Sequence, residues 1–216
     1  MNIPGYPDGS THWRRLTFWQ RQEGLSHVWE LLLKLLNQQR QIGLDTLALD
    51  GTLAQSFAFK DTTGYSGKHH RTGVKVSVLS DTTGIPLSLE LAGGNRNDQA
   101  LAKATITNIH LFRGIHKHSL LLADKGYDGL SLRQFLFQRQ VHPNIPKRKS
   151  VKVKKKHTFL YVYFPHLGKG RYVIERTNAW LKSFRRLRMR FDYKAASFAA
   201  FLYLAILVIC VRRLLP

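Results

Sequence analysis

The 216-residue chain carries 34 Lys and Arg against 13 Asp and Glu, a formal net charge of +21 at pH 7. Its 44% hydrophobic and 11% aromatic content excludes a disordered chain, and the length suits one domain, or one plus a partial second, with a full core. Such a field predicts a polyanionic partner, either nucleic acid or an anionic membrane surface, with a ribosomal-type basic protein as the plainest version.

The opening stretch, MNIPGYPDGSTHWRR, lacks the apolar run of a signal peptide. Residues 10–40 read as helical, with Trp13, Leu16 and Trp19 at helical spacing and then Val28, Leu31, Leu32, Leu35 and Leu36. Gly24 and Ser26 mark the break, with Ser26 as N-cap. TLALDGT (46–52) reads as a short strand ending in Asp50. GVKVSVLSD (73–81) alternates with Val74, Val76 and Val78 on one face, TTG turns the chain, and IPLSLELA (85–92) completes a hairpin. Asp98 reads as the N-cap of a helix to Ile109. SLLLADKG is the next strand, LSLRQFLFQRQ (130–140) a helix that Asp128 would cap, and VHPNIP a short strand stopped by proline.

KRKSVKVKKKH (147–157) holds seven Lys and Arg in eleven residues, a solvated loop or a phosphate-contact segment. From Arg171 a long helical pattern runs through RYVIERTNAWLKSFRRLRMR. The last apolar run, FAAFLYLAILVICV, is short of the ~20 residues that span a bilayer and fits a buried core helix better. It contains Cys210, the single cysteine, so there is no disulfide framework and no cysteine-based zinc site, and a reducing cytosol fits. This element order predicts an α/β domain with a mixed sheet over 45–216, preceded by a helical segment at 1–44.

Acids are scarce, and three of them stand in telling places. Asp50 and Asp124 each end an apolar strand and are followed within two residues by glycine. Strand ends are where an open α/β sheet presents its reactive groups. Two carboxylates on adjacent strands repel, and a divalent cation between them relieves that repulsion. Glu175 is surrounded by cations, with Arg171 at i−4 on its helix face and Lys182 two turns on. By spacing alone, Glu175 is equally well an Arg–Glu surface pair worth a few tenths of a kcal/mol. A pocket of three acids would hold two metal ions about 3.5–4 Å apart for in-line phosphoryl displacement.

LALDGT, LLLADKGYDG and RYVIERTNAWLKSFRRLRMRFDY resemble the three catalytic blocks of the DDE transposases of bacterial insertion sequences, in the group related to insertion sequence five. GVKVSVLSDTTGIPLSLELAGGNRND resembles the segment between the first two blocks, and the likeness covers about residues 45 to 213. The resemblance implies a ribonuclease H-like fold, Mg²⁺ or Mn²⁺ (two ions), and strand cleavage and transfer at element ends. By position it implies Asp50, Asp124 and Glu175 as catalytic metal ligands, with Arg171 and Lys182 gripping DNA. The tyrosine of the family's signature around the Glu falls on Gly168, a departure. Arg185, Arg186, Arg188 and Arg190 lie nearby and read as phosphate contacts. A reaction that joins two element ends implies a homodimer on DNA. The chain starts almost inside the family's N-terminal helical piece, which implies either the product of an upstream reading frame as partner or a truncated copy. The alternative is a transposase remnant that binds DNA without cutting it.

Other residues read as structural. His69 and His70 sit in a glycine-rich loop and fit DNA-backbone contact or a plain solvated loop better than metal binding. His116 and His118 read as surface, and Trp180 as packed.

Overall fold

This computed structural model of the chain describes residues 5–57, 61–111 and 114–215. Helix α1, Gly9–Arg21, starts where the Asp8 carboxylate accepts the Ser10 amide at 3.3 Å. Only Leu16 on it is buried, while Trp13 and Trp19 stay exposed. Helix α2, Gly24–Gln38, follows directly, with Glu23 in the left-handed region at φ 55°. Ser26 is therefore not the N-cap: it lies in the first turn, where its hydroxyl donates to Glu23 O at 2.7 Å. The buried stripe of α2 is Leu25, Trp29, Leu33 and Leu36, and Val28, Leu31 and Leu35 face outward. Trp29 turns the helix, because its indole N–H reaches Pro86 O at 3.2 Å in the core and its ring meets Tyr203 edge-on at 5.8 Å.

The sheet is built around β1, Thr46–Ser56, which runs six residues past its expected end at Asp50. β3, Arg71–Asp81, pairs antiparallel along nearly all of it, from Leu47 with Asp81 to Gln55 with Gly73. Gly73 is required there: a Cβ would lie 2.3 Å from Ala54 O. The short strand β2, Gly64–Ser66, and then β4, Pro86–Gly93, pair with β3. The β3–β4 turn closes on Gly84 (φ +93°) and on buried Asp81, whose carboxylate accepts the amides of Thr83, Ile85 and Gly43 at 2.8–3.0 Å. On the other side of β1 lie β5, Leu120–Leu122, and β6, His142–Asn144, both parallel.

Helix α3, Asp98–Thr107, is capped by Asn97, whose side chain accepts the Gln99 amide at 2.9 Å, so Asp98 is the first helical residue and not the cap. Helix α4 spans Leu130–Gln138, and a single turn, α5, Pro165–Gly168, precedes α6, Tyr172–Ser183. The long helix expected from Arg171 through Arg190 breaks at Phe184, whose backbone is extended (φ −72°, ψ 113°). The rest is a short turn, α7, Arg185–Arg188, and a two-residue strand, β7, Met189–Arg190, paired with the end of β1.

Helix α8, Ala195–Leu214, is long and apolar enough to cross a membrane by length and composition. It packs against α1, α2, α6 and α7 and buries Phe198, Leu202, Ile206, Ile209 and Cys210. Trp29, Leu33 and Leu36 share one continuous core with these residues and with the sheet residues Leu47, Leu49, Val76 and Leu121.

Candidate active site

Strand register brings the first two acids together. Ala48 pairs with Leu122 in the parallel β1–β5 ladder, and two residues further along both chains stand Asp50 and Asp124. Asp124 keeps the extended conformation (φ −77°, ψ 170°), so the two acids stand on neighbouring chains, close enough for the charge of Asp124 to act on Asp50. Asp50 is not at a strand end as the sequence suggested. It lies in the middle of β1, two residues past the point where the shorter β5 ends.

Electrostatics report the same proximity. Burial raises the Asp50 carboxyl above the ordinary carboxylate range; the Gly51 amide and the Arg171 guanidinium oppose this, and the charge of Asp124 adds to it. Asn178 Nδ2 donates to Asp50 Oδ2 at 3.0 Å. Asp124 Oδ1 accepts the Gly126 amide at 2.6 Å, fixing the turn Lys125–Tyr127. Tyr127 is buried beneath this group. Burial first, and then Asp98, Asp50 and Asp124, push its phenol well above its usual value, so it stays a neutral O–H among carboxylates. Asp98 enters from α3: a Cβ on Gly51 would lie 3.1 Å from its Oδ1 and 3.2 Å from Tyr127 Oη. Lys75 Nζ balances Asp98 at 2.8 Å.

Glu175 is placed differently. It is exposed and accepts from Arg171 Nη2 at 2.7 Å, although Asn178, three residues on along the same helix, touches Asp50. Among the described residues, no group of three His, Cys, Asp or Glu is arranged to hold a metal. The Asp50–Asp124 pair nevertheless fits a divalent cation on its own chemistry. It offers hard oxygen donors side by side, one of them with a raised affinity for a proton, and Mg²⁺ needs only one or two protein carboxylates beside substrate phosphate and water.

The cations divide into two groups. Lys182 stands near Asp50, which opposes the lowering of its pKa by burial. His69 is exposed in its loop, where partial burial and then Lys68, Lys182 and Lys75 lower its pKa. Arg185, Arg186 and Arg188 are exposed, but Arg190 is not. Arg190 is fully buried, with Nε and Nη2 donating to Asp192 O and Tyr193 O at 2.9 and 2.7 Å, which removes it from the phosphate-contacting set. His116 and His118 are exposed, and Trp180 packs partly against the core.

Asp128 does not cap α4. Its Oδ1 accepts Arg133 Nη2 at 2.9 Å and Nε at 3.0 Å, with both side chains fully buried. Its Oδ2 accepts the Arg148 amide at 2.8 Å. Arg148 Nε also donates to Lys125 O at 2.6 Å, and its Nη2 to Gly126 O. The start of the basic segment is thereby docked onto the turn that carries Asp124. Gly168, the departure at the tyrosine position, leaves room for another tyrosine: a Cβ there would lie 2.9 Å from Tyr163 Oη.

Sequence reasoning missed Asn178, Tyr127 and the Lys75–Asp98 pair. Asn178 was within reach, since it lies on the face of α6 that also carries buried Ile174 and Leu181. Tyr127 and Lys75 carry no signal of their own.

A sheet ordered β4–β3–β1–β5–β6, with β3 antiparallel to its neighbours and helices on its faces, defines a ribonuclease H-like fold. Its acidic pair stands on the first strand and at the end of the strand parallel to it. The chain belongs to the transposase DDE domain family, whose pattern matches residues 42–210. It is 38% identical over 145 residues to a protein of Burkholderia cepacia named as the transposase candidate of insertion sequence element IS402, covering 65% of this chain and 64% of that relative. The chain thus spans somewhat under two thirds of that relative's length. Among solved structures, it is similar to the Mos1 mariner paired end complex with Mn at 14% identity and TM-score 0.40, over 99% of this chain and 63% of that one. It is also similar to the catalytic domain of Mos1 mariner transposase at 14% identity and TM-score 0.34, over 98% of this chain and 94% of that one. Likenesses this distant carry nothing about the site.

Proposed function

We propose that this chain is the catalytic core of an insertion-sequence transposase that cleaves DNA at element ends and transfers the freed strand to a target. The reading is supported by the parallel β1–β5 register, which ends two residues before Asp50 and Asp124, and by the charge of Asp124 acting on Asp50, in a protein of net charge +21. Asp50 and Asp124 would hold Mg²⁺ or Mn²⁺, two ions by the family resemblance, with Glu175 as third ligand. Bound there, the metal would supply Lewis-acid stabilisation of charge on the attacking and leaving oxygens of a phosphodiester.

The chain's own residues do the positioning. Asn178 fixes one oxygen of Asp50, and the Gly126 amide fixes one oxygen of Asp124. Lys182, Arg185, Arg186 and Arg188 would bear on the DNA phosphates beside the cut. Arg171 holds Glu175, and a phosphate is the natural competitor for its guanidinium, since Arg binds both anions bidentately. In the reaction, water attacks the phosphorus of an end phosphodiester and the bond to the 3′ oxygen breaks. The released 3′-hydroxyl then attacks a target phosphodiester, with one P–O bond formed and one broken.

The reading places the protein on DNA in the bacterial cytoplasm, as a homodimer bringing two ends together, with the product of an upstream reading frame as a possible further partner. A strand-transfer assay with Mg²⁺ tests it. The parent is expected to join strands and Asp50→Asn or Asp124→Asn to lose the activity while still binding DNA. Variants that cut as well as the parent would sink the assignment.

A further inference from the structure

A cavity of about 500 Å³ opens between α1 and the start of α8, away from the acidic pair, lined by Trp13, Arg21, Arg186, Asp192 and Lys194 together with the first turn of α8. Its chemistry is mixed in an informative way. The Asp192 side chain is only 3% exposed, Arg186 approaches its Oδ1 at 3.5 Å, and its Oδ2 has no hydrogen-bond partner. A buried carboxylate oxygen without a donor is costly unless a ligand supplies one. The wall also carries the cations Arg21, Arg186 and Lys194 beside the neutral Thr17, Gln20 and Tyr193, and the first-turn amides of Ala196 and Ser197 have no acceptor within their helix. A cationic amine is repelled by this wall. The ligand that satisfies both halves carries a neutral N–H donor at one end and an anion at the other. Trp13 adds a flat apolar surface: its ring stacks on Phe201 at 6.4 Å and 30°, and Arg186 lies over Phe201 at 4.5 Å.

We infer that this cavity is a nucleotide pocket for a single unpaired base of DNA, whose exocyclic amino group donates to Asp192. The base packs against Trp13, and its phosphate lies among Arg21, Arg186, Lys194 and the first turn of α8. The volume falls in the range of small-ligand sites. Amino-bearing bases are favoured over thymine: cytosine presents an exocyclic amino group at the position where thymine has the carbonyl O4, and thymine's one donor, its ring N3–H, is flanked by two carbonyl oxygens that the Asp192 carboxylate repels. This inference rests on the DNA-acting reading above and shares Arg186 with it; Trp13, Arg21, Asp192 and Lys194 belong to the pocket alone.

The test uses the full chain and single-stranded oligodeoxycytidylate and oligothymidylate of equal length, titrated at one salt concentration. Both strands carry the same phosphates, so nonspecific attraction cancels. The parent is expected to bind the cytidine strand about tenfold more tightly, Asp192→Asn to abolish that preference, and Trp13→Ala to weaken the cytidine strand by about tenfold. Equal affinities in the parent, or a preference kept by Asp192→Asn, overturn the pocket. Should Asp192→Asn fail to fold, Trp13→Ala decides, because exposed Trp13 is outside the core and its loss must weaken the cytidine strand more than the thymidine strand. Metal-dependent cleavage by a parent without base preference would sink the pocket alone. Base preference without cleavage would sink the transposase reading alone.

Discussion

Asn178 donates to Asp50 at 3.0 Å across 128 positions of sequence, and this bond fastens helix α6 to the central strand at the site. Glu175 and Arg171 ride on the same element, so the bond also sets how near the third acid stands to the first two. Asn178→Ala leaves a half-buried carboxylate oxygen without its donor and is expected to cost about 1–3 kcal/mol. Urea unfolding checks this, and the loss is expected to shrink in the background of Asp50→Asn, because the two residues share one interaction.

Asp50→Asn is expected to abolish cleavage and yet raise the melting temperature. The folded state holds this carboxyl in a buried place beside Asp124, which penalises its charge, and a neutral amide removes that penalty. Relief of about 1 kcal/mol corresponds to about 2–4 °C for a chain of this size. Calorimetry on parent and variant without divalent cation decides it; a lower melting temperature would contradict the repulsion argument.

The Asp128–Arg133 pair has no exposed side-chain area. Removing one partner strands a buried charge, so Arg133→Met is expected to cost about 3–5 kcal/mol. Because Asp128 and Arg148 hold the Asp124 turn, the variant is also expected to lose strand transfer at temperatures where its circular dichroism is still native.

Cys210 is buried, and burial pushes its thiol up to about 12. The native protein is expected to resist thiol reagents at pH 8 and to take up one equivalent in denaturant. Rapid labelling of the native protein would mean that α8 is loosely seated.

Exposed Arg185 and Arg188 are expected to bear on phosphate. The double substitution to Ala should weaken binding to any duplex and reduce the slope of log K against log salt by about 2. Arg190→Ala is expected instead to destabilise the fold, since its donors satisfy the carbonyls of Asp192 and Tyr193 inside the protein.

The strongly basic charge, the alternating strand at 73–81 and the two acids after apolar runs were all legible from local pattern, because net charge and period-two burial are written residue by residue. The faces of α1 and α2 were not. Both helices are apolar on more than one side, and the side that Trp29 enters depends on Pro86 and Tyr203, far away in the chain. Asp98, Asp128 and Ser26 were read as caps because their side chains suit caps. Lys75 and Arg133 drew the first two into ion pairs, and the tight α1–α2 junction left Ser26 inside a turn. Composition and order of elements thus determined that this is a basic α/β protein with its scarce acids at the sheet. Which carboxylates stand near one another, which arginines are buried and where Glu175 points were decided only by packing, because those relations join segments that no local rule connects.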